Sequence, residues 1–424
     1  MKNKNNILES VFIFFLIIAQ IYYSYRYILR YSSDVSSPTY SATPFAFQMG
    51  KYLIAFSLTI LVFLIILLRR NTIRLRTNVK IFWYIISGTT FCYFILFAIY
   101  SIKYPGYYNL QELAKAIFFI PIILAIPIFY KGYDSIKLYL RYSFIFVLFH
   151  LIYSTIQLVA YIWFDRLPAL AYRGVIARFG GGWDDPNGFG MFLILPILFF
   201  IAFVNGFKYK KSIYLLITIL LALLAITFSL TAIASFLAAL IFLALLTNSK
   251  KIFFSLALLF TTTTVAILTN EHLQDLLAFL YKLKSKSIHT HLSAYQSPLF
   301  SEDMSIPTIL VGDFSRGVFI ESFYLHFFFN FGILGITPII FIILITLFQG
   351  IKKMRYFKLQ QNYLFYKLLA VFTSYIFAFS FGAMNLPYFS IFPVNVYFWI
   401  IVVLVWLNDQ RSNYSGILQS SSSP

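Results

Sequence analysis

The residues best suited to chemistry lie between Arg166 and Gly190. Arg166, Arg173 and Arg178 precede Gly180-Gly181-Gly182, and Asp184-Asp185-Pro186-Asn187 follow at the start of an apolar run. Guanidinium groups present planar forks of donors that match phosphate in bidentate fashion. Glycines let backbone N–H groups come close to an anion. Asp185 suits a helix N-cap and Pro186 a first helical turn, whose unbonded N–H groups and dipole favour negative charge. The stretch reads as a cradle for a diphosphate, with Arg173, Arg178, Gly181, Gly182 and Asn187 as its contacts. The alternative is an interfacial loop whose arginines snorkel to lipid headgroups.

A second cluster lies between Gly312 and Gly335, GDFSRGVFIESFYLHFFFNFGILG. Asp313, Arg316 and Glu321 sit just before an apolar helix. Ionisable groups at a membrane boundary are costly and face a partner or a wet cavity. Glu321 either pairs with Arg316 or serves as a general base, partial burial raising its pKa towards the working range. His326 is five residues on, faces away from Glu321 on a helix, and reads as a packed, hydrogen-bonded histidine. Gly332 and Gly335 read as sites of close helix packing.

The elements that must position these groups follow from composition. The chain of 424 residues is 60% hydrophobic and 21% aromatic, with only 11% charged residues. Apolar runs of about 18 residues or more recur along it, which implies helices crossing a bilayer core. The expected fold is all-α, a polytopic transmembrane bundle of about 12 helices near 7–25, 50–68, 81–102, 113–130, 142–164, 189–205, 213–229, 231–248, 252–269, 322–349, 362–382 and 394–408. The long run Ile213 to Thr247 is split by a tight turn near Ser229-Leu230-Thr231. One membrane domain spans 1–410, with a polar, disordered tail over 411–424. The N-terminal apolar run lacks a small-residue cleavage site and reads as an uncleaved first helix.

The net charge of +19 does not imply nucleic acid. Basic residues form short clusters: Arg69, Arg70, Arg74, Arg76 and Lys80; Lys208, Lys210 and Lys211; Lys352, Lys353, Arg355 and Lys358. These mark cytoplasmic loops beside anionic lipid. Both termini then lie in the cytoplasm, and the large loops at about 165–188 and 270–320 lie outside. The second loop opens with leucines 273, 276, 277 and 280 at helical spacing, the pattern of an interfacial amphipathic helix. Lys367 and His150 are the ionisable groups expected in mid-membrane. The single cysteine, Cys92, forms no internal disulfide. His289 and His291 have no third ligand in view, so no metal is expected. Phosphate loops and dinucleotide glycine motifs are missing, and a nucleotide substrate is unsupported.

In order and in side, these motifs resemble the bacterial O-antigen polymerase and O-antigen ligase superfamily. The shared pattern is Arg178, Gly181 or Gly182, Asp185-Pro186-Asn187 and Phe189-Gly190, then Glu321-Ser322, Tyr324-Leu325 and Gly332-Ile333-Leu334-Gly335. The resemblance covers most of the chain in architecture but about 45 residues in motif. It implies a glycosyltransferase using a glycan linked to undecaprenyl diphosphate, at the outer face of the cytoplasmic membrane. An acceptor hydroxyl attacks the anomeric carbon and lipid diphosphate leaves, held by arginines, with no cofactor, nucleotide or metal.

On this basis Arg178, Arg316 and Glu321 carry catalysis. Ligases place a histidine where this chain has Glu321, so the resemblance points to a polymerase of surface polysaccharide (O-antigen, capsule or exopolysaccharide). Its partners would be the lipid-linked oligosaccharide, the growing chain, membrane lipid, and flippase and chain-length regulator proteins. One departure stands out. The family often has Ser-Arg at a tight interhelical turn, where this chain has Ser229-Leu230; Arg316 or Arg173 would fill that role. A ligase is the nearest alternative, and a transporter of lipid-linked sugar is the alternative of another class. The latter would line a central cavity with charge, whereas the charges here gather on one face.

Overall fold

The computed structural model describes residues 77–103, 133–164, 171–173, 176–181, 185–272, part of 274–285, 305–312, 322–386 and 394–407. The expected helices at 7–25, 50–68 and 113–130, and the tail 411–424, lie outside the described residues. The described helices are α1 (Thr77–Lys103), α2 (Tyr133–Phe164), α3 (Pro186–Phe203), α4 (Lys210–Ile226), α5 (Leu230–Thr247), α6 (Lys250–Thr269), α7 (Ile306–Val311), α8 (Phe323–Leu359), α9 (Tyr363–Gly382) and α10 (Val394–Leu407). Among the described residues, five helices are long and apolar enough to cross a membrane: Ser135–Trp163, Pro186–Gly206, Leu230–Thr247, Phe323–Leu359 and Tyr363–Gly382.

Two findings concern the long loops. An antiparallel hairpin, β1 (Ala171–Arg173) and β2 (Ile176–Arg178), interrupts the all-α pattern within the first loop. Its strands are three residues each, too short for periodicity to reveal. The second loop contains α7, six residues capped by Ser305. The described residues between Glu271 and Ser285 are helical, but the four leucines of the expected amphipathic stripe lie outside them.

Polar residues at the boundaries start most helices. Asp185, Ser229, Ser249, Ser305, Ser322 and Asn362 each accept a hydrogen bond from a backbone N–H of the turn they cap. Asn248 closes α5 in the left-handed conformation. The run Ile213 to Thr247 breaks at Thr227-Phe228-Ser229, where Phe228 adopts a φ of 47°. The expected turn is therefore present, two residues earlier than its predicted centre.

Helix α9 is the axis of the described bundle. It packs against α8, α5, α3 and α10, and Leu368 to Phe372, Tyr375, Ile376 and Phe379 are all buried. Tyr366 donates from its hydroxyl to Leu246 O at 3.1 Å, fixing one end of α9 against the end of α5. From these residues to Gly382 and Leu230 each helix runs sixteen residues, about 24 Å. The C-terminus of α9 and the N-terminus of α5 thus reach the same level.

Helix α8 is 37 residues long and folds back on itself. A Cβ at Gly350 would lie 2.3 Å from Thr373 Oγ1, and the Phe323 N–H donates to Ala383 O. A straight α8 would carry Phe323 about 40 Å from Gly350, yet Thr373 and Ala383 are only about 15 Å apart along α9. The reversal is at Gly332, with φ 64° and ψ −167°. It serves close helix packing, as expected, and it is also the corner between two limbs, with α7 wedged into that corner. A Cβ at Gly332 would lie 2.3 Å from Leu310 O, and one at Gly312 would lie 2.5 Å from Asn330 O.

At the other end of the bundle α8 continues ten residues past its expected end at 349. It carries the basic cluster Lys352 to Lys358 on its last turns. Lys353 turns inward and donates to Val405 O (3.0 Å) and Trp406 O (2.7 Å). Both carbonyls belong to the last described turn of α10. Lys367, expected in mid-membrane, lies only four residues into α9, half-buried beside the Phe203 ring.

Candidate functional site

The first cluster assembles where four elements end. Strand β2 runs alongside the C-terminus of α4, and the Phe179 N–H donates to Ile226 O at 3.3 Å. Arg178 follows the same edge: its Nε donates to Thr227 O at 3.0 Å. These carbonyls belong to the last turn of α4, where the helix dipole favours positive charge. The Arg178 side chain is 8% exposed, so its charge sits in a region of low dielectric.

Asn187, in the first turn of α3, ties the other helices to this guanidinium. Its Oδ1 accepts from Arg178 Nη2 at 2.8 Å and from Ser229 Oγ at 2.7 Å. Its Nδ2 and backbone N both donate to Asp185 Oδ1, at 2.8 and 3.0 Å. Ser229 Oγ also accepts from Ala232 N at the start of α5. Thr227 Oγ1 donates to Leu224 O and accepts from Ser229 N. Arg178, Asp185, Asn187, Thr227 and Ser229 therefore form one knot joining β2, α3, α4 and α5. Two of the five guanidinium N–H groups are committed to it.

Gly181 does a different job from the one the run's composition suggests. Gly181 has φ +56°, and a Cβ there would lie 2.4 Å from the Phe189 ring. The glycine lets the backbone lie flat on that ring. Its N–H, expected to face an anion, donates to Gln157 Oε1 at 3.1 Å. Its carbonyl accepts from His150 Nδ1 at 2.6 Å. His150 is indeed buried within α2, and the Gly181 peptide is its partner.

The second cluster begins at the same level. Ser322 is buried and caps α8. The Phe323 N–H donates to Ala383 O and the Tyr324 hydroxyl to Ser380 O (3.0 Å), so α8 starts against the C-terminus of α9. The register of α9 with α5 places that C-terminus level with Leu230, beside Ser229 of the knot. Two motif regions distant in sequence thus share one end of the bundle. His326 is buried, as expected, with the Asn330 amide 3.0 Å from its Nε2. Phe323, Phe327 and Phe331 pack ring against ring along the same limb.

Of the residues singled out in the sequence, Arg178 and Asn187 come together, while Gly181 faces His150, Gln157 and Phe189. The backbone of Arg173 lies in β1 opposite Ile176, and Arg178 lies opposite Ala171, so the two arginine positions have the same parity in the hairpin. Arg166, Gly182, Asp184, His289, His291, Asp313, Arg316 and Glu321 lie outside the described residues. At the turn before Ser229, the guanidinium that bonds Thr227 O belongs to Arg178, 49 residues from Thr227.

Sequence reasoning missed what four residues do for the site: His150, Gln157, Thr227 and Ser229, of which His150 and Ser229 stood out only for a mid-membrane position and a turn. The first two had a legible signal. They are polar residues seven apart in an apolar helix, hence on one face two turns apart. No protein-family model matches the chain, and no curated protein matches it either.

Proposed function

We propose that the chain is a glycosyltransferase of about twelve membrane helices that polymerises undecaprenyl-diphosphate-linked oligosaccharide repeat units. The reaction takes place at the outer face of the cytoplasmic membrane and yields a surface polysaccharide. The observation that carries this reading is the buried Arg178 guanidinium, fixed by Thr227 O and Asn187 at the bundle end where α8 also begins. A cation held rigidly in a low-dielectric site stabilises charge developing on a departing phosphate at no cost in reorganisation. Glu321 immediately precedes Ser322 at that same end.

The acceptor hydroxyl attacks the anomeric carbon of the donor. Its oxygen forms the new glycosidic bond while the bond to the diphosphate breaks. Glu321 takes the hydroxyl proton, and the lipid diphosphate leaves with the bonding electrons, held by Arg178 with Arg173 and Arg316. The test is a chain-length assay. Purified protein in lipid nanodiscs receives a lipid-diphosphate repeat unit, with Arg178→Ala and Glu321→Gln alongside. A glycan ladder that vanishes in both folded variants is expected. Transfer of glycan only to an added acceptor would make the chain a ligase; movement of lipid between leaflets with no transfer would make it a transporter.

A further inference from the structure

We infer that His150 and Gln157 are positioning residues that act through Gly181 to hold Arg178 against the donor diphosphate, an inference that rests on the transferase reading above. The two side chains lie on one face of α2 and take both polar groups of one residue. Gln157 Oε1 accepts the Gly181 N–H at 3.1 Å, and His150 Nδ1 donates to the Gly181 carbonyl at 2.6 Å. All three residues are buried. The Phe189 ring closes a third side, within 2.4 Å of where a Cβ would sit.

Only Phe179 and Gly180 separate this clamp from Arg178. The Phe179 N–H is bonded to Ile226 O and Arg178 Nε to Thr227 O, so the segment is pinned by α4 at one end and by α2 at the other. Without the α2 clamp the segment keeps only its α4 anchor. Four residues then lose the constraint that sets the angle at which the guanidinium meets a ligand. A buried histidine and glutamine that only filled space would have no reason to take both backbone polar groups of one residue.

The donor identity gives a sharp test. A carbonyl can only accept, so Nδ1 carries the proton. Asparagine places its Nδ2 the same number of bonds from the backbone as histidine Nδ1; glutamine places its amide nitrogen one bond further. Full-length wild type, His150→Asn, His150→Gln and Gln157→Asn are compared in nanodiscs with the lipid-linked repeat unit. Turnover is counted per monodisperse molecule.

His150→Gln and Gln157→Asn should lose about 10- to 100-fold in kcat, the scale of a misplaced catalytic group, with donor KM within about threefold of wild type. His150→Asn should stay within about threefold of wild type in both. Equal losses in His150→Asn and His150→Gln, or unchanged kcat in Gln157→Asn, would overturn the positioning role while leaving the transferase intact. Inactive wild type would overturn the transferase reading and this inference with it.

Discussion

The knot around Arg178 and the corner at Gly332 sit at the same end of the bundle but are held by different physics. At the knot, polar side chains satisfy one another: arginine to asparagine and a carbonyl, asparagine to aspartate, serine to asparagine. At the corner, backbone touches backbone, because Gly312 and Gly332 lack a Cβ and Leu310 and Asn330 occupy the space. A buried hydrogen-bonded knot places a charge with precision and tolerates little loss of donors. A glycine corner places a whole segment and tolerates no added atom. One region is suited to binding; the other decides where α8 begins, and with it Ser322.

The comparison is most easily broken at the corner. Gly332→Ala combines a φ of +64° with a Cβ 2.3 Å from Leu310 O. Left-handed strain alone costs about 1–3 kcal/mol, and the clash with backbone adds to it. We expect loss of monodisperse protein on size exclusion; a well-folded Gly332→Ala variant would refute the corner. Gly181→Ala should cost less, because the atom in its way belongs to a side chain. Gly181→Ala with Phe189→Leu should regain part of the lost unfolding midpoint, and failure to regain any would refute the stacking of Gly181 on the ring.

Removing Arg178 as Arg178→Met should lower stability by about 1.5–3 kcal/mol, the range for hydrogen bonds involving a charged group, and abolish transfer. Asn187→Asp sharpens the same point. It keeps an acceptor for Arg178 but loses the Nδ2 donor to Asp185 and sets two carboxylates side by side, so it should be destabilised despite retaining the arginine contact. Chemical denaturation in micelles reads both.

The smallest effect is expected far from either region. Lys353→Met removes two bonds to the C-terminus of α10 and should cost about 1–2 kcal/mol with transfer unchanged. Loss of transfer without loss of stability would show that the opposite end of the bundle takes part in function.

Local chemistry made much of this legible. Asp185 and Pro186 announced the start of α3, Ser229 the start of α5, and apolar runs gave the spans of α3, α5, α6, α9 and α10 to within a few residues. The meeting of Arg178 and Asn187 was also legible, because they are close in sequence around one helix start. What was hidden depends on contacts between distant segments. Gly332 is a corner because α7 is wedged into it, and Lys353 faces inward because carbonyls of α10 lie beside it. Gly181 was misjudged for the same reason: its backbone partners, His150 and Gln157, come from a helix more than twenty residues earlier.

The claim that both regions act on one bond is tested most directly by a double-mutant cycle on turnover, using Arg178→Lys, Glu321→Gln and the double variant in nanodiscs with the lipid-linked repeat unit. Residues that serve one step as a unit are strongly non-additive. The account predicts that the double variant is scarcely slower than the worse single variant. Losses that multiply, as for two independent sites, would contradict it.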